Sequence, residues 1–354
     1  MSNQSVDFNF TTEMSTSPPF SDTSTITDIT DPCATSTTFS ISDKIAANDI
    51  TSRANYVYSA IAILGFAAGC FLIYSFIQTY RAQRRLAWLQ CLLWAFCGIQ
   101  LLLLLLSLHA VVYRPDYLKT TALGCAALSF IINIASLCGL FVLVLMAYVL
   151  TLDPPSHALL RKPGVCAALV IVTSVLFALV LAGIRGLHKT CNCFVDPAKA
   201  GVSYAAAKLC LTFLIPYTLQ LGLLIGGCVR QWKSKGRFLS GSEEGPMFLA
   251  VTIIMFACLL LYSVVLVRGA KIQREEELSS HEQAFLSVAE FIWFAGSSVS
   301  LLLILFMHRP CRESLYGLFR QLRDCCRSPR HTQPNRNIIA PHIEITDTLQ
   351  DIES

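Results

Sequence analysis

Residues Thr121–Leu150, TALGCAALSFIINIASLCGLFVLVLMAYVL, run without a single charged side chain. A helix needs about 20 mostly apolar residues to cross the hydrocarbon core of a bilayer, and this stretch exceeds that length. A transmembrane barrel strand would alternate with period two over about ten residues, whereas here the apolar run is continuous. Six further runs of the same kind flank it: Tyr56–Tyr80, Leu86–Val112, Val165–Ile184, Tyr204–Val229, Met247–Val267 and Ala284–Met307. The segments between them are short and polar, with Pro, Gly, Lys or Arg at most junctions. The expected fold is an all-α membrane protein, a seven-transmembrane helix bundle.

Composition agrees. Of 354 residues, 54% are hydrophobic and only 14% are charged, against about 45–50% and 25% in an average soluble domain. So few charges cannot cover a water-soluble globule of this size. The balance argues against soluble enzymes, nucleic-acid-binding modules and disordered chains, and no nucleic-acid partner is expected. The net charge of +4 says little until it is mapped onto the two sides of a membrane.

Residues 1–53 read differently. They are rich in Ser, Thr and Asp, with Asp7, Glu13, Asp22, Asp28, Asp31, Asp43 and Asp49 against Lys44 and Arg53. Such a stretch cannot bury a core and is expected to be disordered. It lacks a basic segment followed by an apolar one, so the first span is expected to serve as the insertion signal. The bundle is then 54–308, a short surface helix 309–327, and a disordered tail 328–354. Basic residues near helix ends favour the cytoplasm. With the N-terminus outside, the inner side carries most of the 27 basic residues, including Arg81, Arg84 and Arg85 in the first inner loop, Arg161 and Lys162 in the second, and Arg230, Lys233, Lys235 and Arg237 in the third. The sequons Asn3-Gln4-Ser5 and Asn9-Phe10-Thr11 fit the same orientation, since such acceptors are glycosylated on the outside of secreted and surface chains.

The 15 cysteines fall on both sides. Eight lie in spans, where a Cys is mainly a small packing residue. Cys33 in the tail, Cys125 at the outer end of the third span, and Cys191 and Cys193 in the second outer loop would share an oxidising compartment, which suggests two bridges. Cys125 is expected to pair with Cys191 or Cys193, and Cys33 with the other. Cys191-Asn192-Cys193 has no partner set at ligand spacing, so no metal is expected there, and nothing in the sequence calls for a cofactor. On the inner side Leu315, Leu318, Phe319 and Leu322 recur at helical spacing, with Arg312, Glu313, Arg320 and Arg323 largely off that face. A short amphipathic helix on the inner leaflet explains the pattern. Cys325 and Cys326 at its end are candidates for S-palmitoylation.

Seven spans, an outer N-terminus, Cys125, a Cys in the second outer loop and an inner helix ending in Cys-Cys resemble the rhodopsin-like (class A) G protein-coupled receptors over about residues 50–327. The segment His308-Arg309-Pro310-Cys311-Arg312-Glu313-Ser314-Leu315-Tyr316 is similar to the opening of the eighth helix in many of them, and Pro216 in Phe213-Leu214-Ile215-Pro216-Tyr217 matches the usual fifth-helix proline. The departures are heavy. Gly69-Cys70 stands where the family has Gly-Asn, the second span lacks the sodium-holding Asp, and the third ends Met146-Ala147-Tyr148-Val149-Leu150-Thr151 without Asp-Arg-Tyr. The fourth has no Trp, the sixth no Trp-x-Pro, and the seventh reads Ser297-Ser298-Val299-Ser300-Leu301 without Asn-Pro-x-x-Tyr. Such drift looks most like the gammaherpesvirus receptors related to the Epstein–Barr lytic-cycle receptor. The features carrying that likeness are the sequon-bearing tail with Asp31-Pro32-Cys33, the basic first inner loop and the third-span end beginning Met146-Ala147. Unlike that family, the third-span end is apolar and 269–283 contains no Cys.

The resemblance implies a multi-pass receptor in the plasma membrane of the host cell, in contact with membrane lipid and a heterotrimeric G protein through Arg230, Lys233, Lys235 and Arg237. It also implies homo- or hetero-oligomers with other receptors. Without an acid to hold an Arg at the third-span end, signalling is expected to need no ligand. The alternatives are an immune-evasion adaptor that removes a host class I antigen-presenting molecule from the surface, and an orphan vertebrate class A receptor. The seventh span has no Lys, which excludes a retinal Schiff base there. A hydrolase would need converging His and Asp ligands and a transporter repeated halves; the sequence shows neither, so no enzyme is expected. Glu290 is the carboxylate within a span, and a charge there marks function by default. It is expected to stay protonated or to pair with Lys208 or Arg268 near the outer ends of the fifth and sixth spans, with Lys208 alternatively reaching for the interface.

Glycosidase treatment of the expressed protein is expected to increase its gel mobility, and Asn9→Gln to remove most of that shift. An unshifted wild-type band together with a tail tag inaccessible on intact cells would contradict the orientation.

Overall fold

The computed structural model describes residues 41–83, 87–112, 122–151, 163–186, 200–235, 244–275 and 279–327. In order they form α1 (Ile41–Gln83), α2 (Trp88–Val112), α3 (Ala122–Thr151), α4 (Pro163–Gly186), α5 (Val202–Lys208), a π turn (Leu209–Leu214), α6 (Ile215–Lys235), α7 (Gly245–Glu275), α8 (Ser280–Met307) and α9 (Arg309–Arg327). Seven helices are long and apolar enough to cross a membrane, the fifth being α5, the π turn and α6 in one continuous rod. The described residues contain no strand. Backbone groups in lipid must be satisfied within the segment, which leaves the helix as the local solution for each run.

Large apolar side chains ring the outside of the bundle, among them Ile63, Leu169, Val172, Leu176, Leu221 and Ile253. An apolar exterior of this extent is a liability in water and the required finish against hydrocarbon. The interior is packed by Leu72, Phe96, Leu137, Leu143, Met255 and Leu301 around α3 and α8.

One boundary differs from expectation. The tail was expected to extend to residue 53, but α1 begins at Ile41. At 1.5 Å per residue its 43 residues span roughly 65 Å, about twice the hydrocarbon thickness. Its polar first turns therefore protrude, with Arg53 and Asp49 paired one turn apart at 2.9 Å. At the other end α9 turns away after His308, as the amphipathic pattern predicts, and leaves Tyr316, Leu318 and Phe319 exposed.

Small residues let the helices approach. At Gly65 on α1 an added Cβ would collide with Ser298 of α8, 2.6 Å from its Oγ and 2.7 Å from its Cα. At Gly69 it would meet Leu101 of α2 at 2.8 Å and Leu301 of α8 at 3.2 Å. Gly227 of α6 sits directly under the Thr151 side chain at the end of α3. Gln220 donates to Thr252 at 2.9 Å, tying α6 to α7 through a buried bond. Close backbone approach of this sort is what drives association where water supplies no hydrophobic push.

Gly65→Ala is expected to destabilise the detergent-purified bundle by about 1–3 kcal/mol, the usual range for overpacking. Gly222→Ala, whose added methyl would meet nothing within 4 Å, should change little. Equal melting temperatures for the two variants would show that the α1–α8 seam is looser than described.

A candidate binding chamber around Lys208

A buried lysine organises the half of the bundle where α4 ends and α5 begins. Gly201 opens α5 with φ 87°, a left-handed conformation that glycine adopts without penalty. One turn on, Tyr204 and Ala205 are buried, and Lys208 is 6% exposed. The rod then loosens into the π turn, where the Ile215 N–H bonds to the Cys210 carbonyl. Pro216 follows and has no N–H to give. A π turn adds a residue to the turn and shifts the register of the side chains around it; such insertions concentrate at functional sites. The Thr212 hydroxyl donates to the Lys208 carbonyl at 2.7 Å, fixing the turn beneath the lysine.

The Lys208 ammonium points inward. Nζ donates to the Tyr262 hydroxyl on α7 at 3.0 Å. It lies 4.9 Å from the Tyr262 ring centre, 5.1 Å from Trp293 on α8 and 5.9 Å from Tyr204. All three distances fall within the range of cation–π attraction, worth about 2 kcal/mol or more when desolvated. Tyr262 stacks on Trp293 at 4.8 Å and Trp293 on Phe294 at 4.6 Å, so the aromatic walls hold one another. Glu290 stands one turn before Phe294 on α8 and is half-buried. Arg185, near the end of α4, stands over the Tyr204 ring with its guanidinium carbon 5.9 Å from the ring centre, and donates to the Ser129 hydroxyl of α3 at 2.6 Å. Tyr58 of α1 joins Ser107 of α2 through their hydroxyls and stacks on Phe291 at 5.7 Å. Residues of all seven spans thus lie in or beside one buried polar cluster.

Lys208 is buried and directed to Tyr262 rather than to the interface, and Arg268 is exposed on α7. Tyr204, Tyr262, Trp293 and Arg185 were not singled out by the sequence. The sequence signals that mark their region are the in-span charges Lys208 and Glu290 and, close by, Pro216.

The other candidate residues are scattered. Arg230 is exposed near the end of α6. Lys233 and Lys235 lie on its last turns, and Cys325 and Cys326 on the last turn of α9, with side chains outside the described residues. The side chain of Cys125, on the first turn of α3, is likewise outside them, as are Asn3, Asn9, Cys33, Cys191, Cys193 and Arg237. None of the eight span cysteines nor Cys311 is in a disulfide. Cys311 was not foreseen as a contact. It sits buried at the elbow between α8 and α9, 3.2 Å from Nδ1 of His308. Burial pushes its thiol above the usual range and holds His308 below the ordinary histidine value. Among the described residues no three His, Cys, Asp or Glu side chains cluster as a metal site.

No family model and no curated protein matches the chain. Among solved structures it is similar to squid rhodopsin, with a TM-score of 0.58 at 13% identity over 79% of this chain and 88% of that one. The likeness is one of fold.

Tyr262→Phe keeps the ring and removes the acceptor of the Lys208 ammonium. It is expected to lower stability by about 2 kcal/mol, within the range for a hydrogen bond to a charged group. Thermal melts in detergent check this, and an unchanged melt would mean that the ammonium does not bond there.

Proposed function

We propose that the chain is a divergent, virus-encoded receptor of the rhodopsin-like class, of the gammaherpesvirus branch, that signals through a heterotrimeric G protein without needing a ligand. The observation that carries the reading is the joint presence of a rhodopsin-like seven-helix bundle, a short helix turned off its last span, and a polar chamber linking α3, α5, α7 and α8. In this reading the chamber opens toward the outside and α9 lies on the inner leaflet of the host plasma membrane. Asn3 and Asn9 carry glycans, Cys125 is bridged to Cys191 or Cys193, and Cys325 and Cys326 carry palmitate.

The end of α3 supports ligand independence. Thr151 donates to the Ala147 carbonyl at 2.8 Å and packs over Gly227, so that corner is held by small-residue packing. With no acid in Tyr148-Val149-Leu150-Thr151 to restrain an Arg, no ionic lock there opposes the open state, and its population rises. Arg230, Lys233, Lys235 and Arg237 then supply the long-range attraction for an acidic G protein surface.

The same missing Arg favours a second reading, a seven-helix adaptor that binds a host class I antigen-presenting molecule and removes it from the surface. A cellular orphan receptor is a weaker third, because so many family motifs are absent together.

Cells expressing the chain with no ligand added are expected to show raised second-messenger levels, and neutralising Arg230, Lys233, Lys235 and Arg237 to return them to background at unchanged surface level. A wild type silent against every G protein class that still depletes surface class I would overturn the receptor reading in favour of the adaptor.

A further inference from the structure

We propose that Tyr204, Tyr262 and Trp293 form a binding cage for a primary alkylammonium group, and that the chain fills this cage itself with Lys208. Three observations support it. The ammonium lies within 6 Å of all three ring centres, the range in which a ring face attracts a cation. The polar contact is specific: Nζ donates to the Tyr262 hydroxyl at 3.0 Å. The cage is also built by elements remote in sequence, with the Tyr262–Trp293 stack at 4.8 Å and the Tyr204 ring faced at 5.9 Å by Arg185 of α4, which donates to Ser129 of α3. A lysine merely accommodated in the bundle would extend its stem to the nearest interface. This one is turned to a hydrogen-bond acceptor at the centre of the bundle and is 6% exposed.

The cage joins α5, α7 and α8 through a group that in a ligand-gated protein would arrive from outside. A covalently tethered ammonium is always present at high effective concentration. The arrangement it favours is then populated in the absence of any added molecule. The consequence for signalling rests on the receptor reading; the cage itself does not.

Removing the stem opens the cage. Lys208→Ala leaves a space that n-propylammonium completes atom for atom. Purified full-length Lys208→Ala is expected to melt below the wild type, and n-propylammonium to recover at least half of the loss. The neutral n-propanol and the anionic propionate, at equal concentration, should recover none of it. Lys208→Met, which keeps the stem and drops the charge, should also melt below the wild type. Combining Trp293→Ala with Lys208→Ala should abolish the rescue. Rescue by n-propanol equal to that by n-propylammonium would reduce the site to a void. Rescue by propionate would reverse the charge of its ligand, and a Lys208→Met variant as stable as the wild type would remove any role for the ammonium. Each of these overturns the proposal. In cells, n-propylammonium should restore basal second-messenger output to Lys208→Ala. Recovery of the melt in a protein whose wild type never signals would leave the cage standing and defeat the receptor reading.

Discussion

An ammonium group in the middle of an apolar bundle is the constraint around which this structure is arranged. Taking a charge of that size out of water carries a penalty of several kcal/mol even after relaxation, so Lys208 can stay buried only where compensation converges on it. The compensation comes from three separate spans: the Tyr262 hydroxyl and ring on α7, the Trp293 ring on α8, and the Tyr204 ring four residues back on α5. No two of these helices can shift independently without exposing the charge to an unfavourable surround. The π turn below Lys208 and the proline after it belong to the same arrangement, since they set the register that turns the lysine inward.

Elsewhere the bundle depends on shape. Gly65 under Ser298, Gly69 between Leu101 and Leu301, and Gly227 under Thr151 bring α1 to α8 and α3 to α6 at distances that a methyl group would forbid. In lipid, where apolar side chains gain little by leaving the solvent, such contacts and a few buried bonds such as Gln220 to Thr252 are the available source of cohesion. The polar chamber and the glycine seams divide the work: the first couples α5, α7 and α8 electrostatically, and the second holds α1, α3 and α6 by close packing.

The spans were legible because hydrocarbon imposes a length on every apolar run, and the observed helices match the expected ones to within a few residues at most ends. The start of α1 was illegible for the opposite reason. Residues 41–53 share the Ser, Thr and Asp content of the segment before them, and what makes them helical is continuity with the span and a turn-to-turn pair of Asp49 and Arg53. Glu290 and Lys208 stood out as charges where few belong. Whether Lys208 faced the interface or the interior could not be read, because a lysine stem can reach either, and the outcome depends on aromatic residues 54 to 85 positions away in the chain. Tyr204, Tyr262 and Trp293 look like ordinary apolar filling one at a time. Their meaning appears only when folding brings them together.

The most direct measurement of this account is an experimental structure of the purified full-length protein in a lipid environment with no ligand added, at a resolution that places the Lys208 side chain. The account predicts continuous density from the Lys208 stem to an ammonium within hydrogen-bond distance of the Tyr262 oxygen and between the Tyr204 and Trp293 rings. A Lys208 side chain directed to lipid or water, with Tyr262 bonded elsewhere or a separate molecule seated between those rings, would contradict it.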